Sequence, residues 1–142
     1  MKRMTSIVFC VVAGLATAGT GLAQNYSVRA TVPFGFAVGR TWLPAGNYVI
    51  SEMSSPEQIA IRTGSGRAVA LALVQPGNTS SVTQGKLVFD KIGSRYFLNR
   101  IDCPAASMTA SLPTSKLEKK ALAHVEEASI GQAEQVLVAL NR

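Results

Sequence analysis

Apolar side chains return at every second residue over much of this chain, in short runs cut by Gly, Pro and Ser. Tyr26, Val28, Ala30 and Val32 alternate with Ser27, Arg29 and Thr31, the period of a strand with one buried face. Pro33 interrupts the run because it brings no ladder donor. Phe34, Phe36 and Val38 resume it, opposite Gly35, Ala37 and Gly39; that small face predicts close approach by another backbone or side chain. Leu43-Pro44-Ala45-Gly46 reads as a turn, Pro presetting φ and Gly accepting a late positive φ. Residues 48–53 form the next strand. Residues 58–63 and 67–75 flank Gly64-Ser65-Gly66, a hairpin signal. The stretch 68–74 is apolar on both faces and predicts a central strand, and the polar residues 76–84 predict a loop. Residues 86–91 and 95–101 make a second hairpin around Gly93-Ser94, with Leu87 and Phe89 inward.

The period changes after Pro113. Ser115-x-x-Glu118 is a capping box, in which the Ser oxygen accepts an orphan amide and the Glu reaches back. Leu117, Ala121, Val125 and Ala128 follow at helical spacing, so a single amphipathic helix near residues 115–129 lies on a sheet, and Gly131 ends it. Residues 133–140 read as a closing strand, with a short helix as the alternative. No period of 20 to 50 residues repeats. The fold expected is mainly β (α+β): a compact antiparallel β-sandwich or small barrel of seven to eight strands with one late amphipathic helix.

The beginning of the chain follows a different logic. Lys2 and Arg3 precede an apolar stretch, residues 7–18, and Gly21-Leu22-Ala23 sets small residues at a signal-peptidase site. A spanning helix needs about 20 apolar residues, more than this run holds. Residues 1–23 are therefore expected to be a secretory signal peptide cut before Gln24, and residues 24–142 a single mature β-rich domain, exported to the periplasm or the exterior. Cys10 precedes the cut, which leaves Cys103 as the one mature cysteine. No disulfide within the chain can then staple the fold, which must stand on its core. Loss of Lys2 and Arg3 lowers the formal charge from +6 to +4. The basic residues are dispersed, with no stripe interleaved by aromatics, so a nucleic-acid partner is not expected. An anionic envelope component or a polysaccharide fits the charge. No stable transmembrane segment is expected after cleavage, and oligomeric state is left open.

Three stretches together carry a family likeness: Val32-Pro33-Phe34-Gly35-Phe36-Ala37-Val38-Gly39 with Leu43-Pro44-Ala45-Gly46-Asn47-Tyr48; Gly85-Lys86-Leu87-Val88-Phe89 with Arg95-Tyr96-Phe97-Leu98; and Leu112-Pro113-x-Ser115-Lys116-x-Glu118. The set resembles a group of small secreted β-rich proteins of soil bacteria to which no activity is assigned. The resemblance implies an exported, mainly β domain and transfers no site residue.

Candidate chemistry is sparse. His124, the only histidine, falls at the margin of the helical stripe; a general base there needs a partner such as Ser115 or Cys103 and a third orienting group, and the sequence places none. One His and one mature Cys cannot build a zinc site, and no carboxylate run resembles a calcium loop. Glu126 and Glu127 diverge on a helix, and Asp90 and Asp102 sit in neighbouring strands where charges usually face outward. Gly64-Ser65-Gly66 lacks the Lys and following helix of a phosphate loop. Asn25-Tyr26-Ser27 and Asn78-Thr79-Ser80 match the glycosylation pattern, one that recurs by chance. Two residues remain as site candidates. Trp42 is a candidate ligand contact through ring stacking on a sugar, against packing as a core edge. Cys103 is a candidate intermolecular thiol, against a buried small hydrophobe. No catalytic residue, metal ligand or cofactor is assigned. The function expected is a non-enzymatic exported domain that binds or organises envelope material; the alternatives are a periplasmic small-ligand carrier using a barrel interior, and a hydrolase.

Overall fold

The structure, a computed structural model, describes residues 27–77, 84–127 and 133–141. The export signal and its cut, both glycosylation patterns apart from Ser27, Ala128 and the helix stop at Gly131 lie outside those residues.

The first four strands to pair are β1 (Ser27–Val32), β4 (Gly46–Glu52), β5 (Gln58–Thr63) and β6 (Ala68–Leu73), each antiparallel to the next. A second group holds β8 (Lys86–Ile92), β9 (Arg95–Cys103) and β10 (Met108–Ser111), also antiparallel. Helix α1 (Lys116–Glu127) leads to β11 (Glu134–Asn141), which inserts between β8 and β1 and joins the groups. At the other side, β7 (Gln75–Pro76) prolongs β6 and pairs with β10, helped by the Gly77 amide on the Thr109 carbonyl at 2.8 Å. The sheet thus curls into a nearly closed barrel. The short β2 (Phe36–Val38) runs parallel to β9 along the edge that β10 also uses, and carries β3 (Thr41–Leu43) outside it. The tail 133–140 is a strand, and the choice between sandwich and barrel falls to the barrel.

Alternation builds the interior. Val28, Ala30 and Val32 of β1 point inward and are buried, while Ser27, Arg29 and Thr31 are exposed. Leu87 and Phe89 of β8 face the same core, where Phe36 and Phe34 meet Phe89 edge-on at 5.2 and 5.1 Å. Tyr48 is buried, and its hydroxyl donates to the Pro44 carbonyl at 2.5 Å, closing the predicted turn; burial raises its pKa above the ordinary phenol value. Gly93 takes φ +61° as the first residue of the two-residue β8–β9 turn, a position that favours glycine.

A second, smaller cluster lies outside the barrel wall. Ala121 of α1 packs on Ala37, Ile92 and Phe97, with Leu117, Leu122 and Val125 around it. This is the close approach that the small residue at position 37 anticipates. The capping box forms as predicted: the Glu118 amide donates to Ser115 Oγ at 3.1 Å, and the Ser115 amide to Glu118 Oε2 at 3.3 Å.

Two expectations need correction. The stretch 68–74 is not a central strand: β6 pairs along its length with β5 alone, and Leu71 and Leu73 are 69% and 66% exposed. An apolar run reads alike in a buried strand and in an uncovered one. Residue 76 is not loop either; with Gln75 it forms the strand that closes the ring, Pro76 sitting in a two-residue pairing where a missing donor costs little.

Candidate functional site

The outer surface of β1, β4 and β5 carries a polar face with two grooves. Because Val28, Ala30 and Val32 point inward, Arg29 must point outward. Register then places Arg29 opposite Val49, and Val49 opposite Arg62. Two exposed arginines thus flank one valine in a single row, their Cα atoms two strand spacings, about 10 Å, apart. Among the described residues neither has an ion-pair partner. Ser27 and Ser51 form the row on one side. Thr31 and Asn47 form the other, the Thr31 hydroxyl donating to Asn47 Oδ1 at 2.7 Å, which leaves the Asn47 NH₂ free to donate.

Two grooves share Val49. One, of about 410 Å³, runs past Ser27, Ser51, Met53 and Arg62; the other, of about 400 Å³, past Arg29, Thr31, Asn47 and Asn141. Each guanidinium offers a planar fork of N–H donors that matches a carboxylate or phosphate two bonds at a time. The chemistry available is anion binding with hydroxyl and amide support.

Trp42 is 44% exposed on β3. Its ring lies 5.6 Å from that of Phe97, and the Arg95 guanidinium stands over it at 5.9 Å. One ring face is therefore engaged by a cation, so a sugar stacking there must displace Arg95. Cys103 is 7% exposed and belongs to the interior cluster. An interchain bridge at that thiol would require the barrel wall to open, so the fold sets it as a small core residue. His124 is exposed and shares a depression of about 200 Å³ with Ser94 and Arg95. Ser115 lies nine residues away, about 13 Å along the helix, and Cys103 faces the interior, so the structure brings neither of these two partners to His124.

The carboxylates group differently from the pairs weighed above. Asp102 is opposite Lys86, about 13 Å along β8 from Asp90. It is 1% exposed; Arg100 Nε donates to Oδ2 at 3.1 Å, and Oδ1 has no partner among the described residues. Asp90 instead meets Glu118 beneath the start of α1, side chain to side chain. A bulge in β9 turns Asn99 toward the pair, its Nδ2 donating to Asp90 Oδ2 at 2.6 Å. No group of three His, Cys, Asp or Glu residues among those described is placed to hold a metal ion. The signal for the Asp90–Glu118 contact was in the capping box, which fixes where Glu118 stands once the helix docks on β8.

Glu118 is 8% exposed. Burial and then the Asp90 carboxylate raise its pKa, against the lowering effect of the Ser115 amide. The folded chain thus holds that proton more tightly than the unfolded chain. Its contribution to stability is greatest at acid pH and falls as pH rises from the ordinary carboxylate value to the raised one. Glu118→Gln retains a capping acceptor and is expected to flatten that decline, measured as urea midpoints between about pH 4 and 7. A slope equal to that of the parent chain would contradict the assignment.

Compared with protein-family models, with curated proteins and with solved structures, the chain matches none of them.

Proposed function

We propose that this chain is an exported, non-enzymatic domain that binds an anionic component of the cell envelope through the outer face of β1, β4 and β5. The observation that carries the reading is the unpaired Arg29–Val49–Arg62 row, set between hydroxyl and amide side chains. Export is supported by the charged, apolar and small-residue order of residues 1–23.

Binding on the outside is favoured over carriage within. Phe36, Phe89, Ile59 and Ile101 are among the fully buried side chains that fill the interior, where a carrier needs open volume. A hydrolase is disfavoured because, among the described residues, the Asp90–Glu118 pair is committed to structure, Asp90 to Asn99 and Glu118 to the helix cap. Among the described residues no helix is long and apolar enough to cross a membrane.

The test is co-sedimentation of the chain beginning at Gln24 with a total envelope preparation at low and high salt. Arg29→Ala with Arg62→Ala is expected to weaken association roughly thirty-fold at low salt, the loss of two contacts of about 1 kcal/mol each. Salt is expected to narrow the difference. Equal sedimentation of the parent and the double variant would remove the arginine row from the reading.

A further inference from the structure

The arginine row does not stand alone on its face. The next row along the strands runs Ser27, Ser51, Ala60 and Leu71, and beyond it Gln58 lies opposite Leu73. Leu71, Leu73 and Met53 are 69%, 66% and 42% exposed, and they border one depression of about 180 Å³. Met53 also lines the groove that holds Arg62, so cationic and apolar areas are continuous. Exposed large apolar side chains grouped beside a polar rim mark an interaction surface. A soluble polyanion satisfies the arginines and leaves the leucines in water. A lipid leaflet satisfies both, since it presents phosphates at the headgroup level and acyl chains just beneath them.

We propose that the envelope component is an anionic lipid leaflet, with Leu71, Leu73 and Met53 entering the headgroup–acyl boundary while Arg29 and Arg62 meet lipid phosphates. This rests on the reading of an anionic envelope partner given above. Glu52 and exposed Glu57 lie at the Met53 end; they oppose an anionic surface and limit how far the apolar edge spreads along it.

Two probes separate the sources of negative charge: vesicles of equal parts phosphatidylcholine and phosphatidylglycerol, and soluble polygalacturonate. Leu71→Ser with Leu73→Ser is expected to lower vesicle binding about ten-fold or more and to leave polymer binding unchanged. Both sites are exposed, so the barrel core is untouched, and circular dichroism checks the fold. Arg29→Ala with Arg62→Ala is expected to lower binding to vesicles about thirty-fold. Glu57→Gln is expected to tighten it. Vesicle binding unaffected by the serine pair overturns the lipid proposal. Binding to polygalacturonate but not to vesicles overturns it too and leaves the anionic-partner reading standing, whereas binding to neither probe overturns both.

Discussion

Phe89→Ala is expected to cost about 3–5 kcal/mol and to lower the melting temperature by about 15 °C for a domain of this size. Phe89 has no exposed surface. Its ring is held edge-on by Phe34 and Phe36, and such pairs add to the area they bury. Its strand is fixed on both sides, by β9 and by β11. The wall therefore cannot move in to fill the space, and incomplete collapse is what makes a large-to-small change expensive. The loss approaches the whole stability of a marginal domain, commonly about 5–15 kcal/mol. Phe89→Leu keeps most of the volume and is expected to retain most of the melting temperature. Thermal unfolding by circular dichroism measures both, and a shift of under about 5 °C for the alanine variant would show that Phe89 is not a central support of the core.

Ala121→Asp is expected to detach helix α1 and leave the barrel folded. Ala121 is 4% exposed, and Ala37, Ile92 and Phe97 beneath it are 1%, 3% and 2% exposed. A short carboxylate there meets apolar surface, with Asp90 and Glu118 as the nearest acidic neighbours on β8 and α1 and Arg95 exposed at the edge. Burying an unpaired charge costs several kcal/mol. Among the described residues the apolar contacts that hold the helix down are those of Ala121, Leu117, Leu122 and Val125, a small set against such a penalty. Elements with few buried contacts open independently of the rest. The expected record is loss of helical ellipticity and of amide protection over residues 117–125, with the strands still protected. Full protection of both would refute the separation, and joint loss of both would show that the helix is integral to the barrel.

Local chemistry was the legible part. The alternation of β1, the turn closed by Tyr48, the Gly93 hairpin and the Ser115–Glu118 cap all depend on neighbours within a few residues, and each appears where the pattern puts it, except that Gly46 of that turn does not take the positive φ expected of it. What was not legible depends on pairing between distant segments. Arg29 and Arg62 are ordinary surface arginines until the registers of β1, β4 and β5 set them astride Val49. Asp90 and Glu118 meet only because the helix folds back over β8. The apolar run of β6 carries no mark that distinguishes a covered strand from an uncovered one, and the brief β7 looks like loop because two residues cannot show a period.

The place of β11 has a consequence for the order of events during synthesis. The four strands β1, β4, β5 and β6 and the group β8 to β10 pair with each other only through the two residues of β7 until β11 arrives between β8 and β1, while β2 and β3 lie along β9. The ring is completed by β11, which follows the other described strands in the chain. While the chain is still being translated, neither half has both edges satisfied, and pairing across so much sequence is slow to form. A chain of this design stays loose until β11 is available to pair on both of its edges.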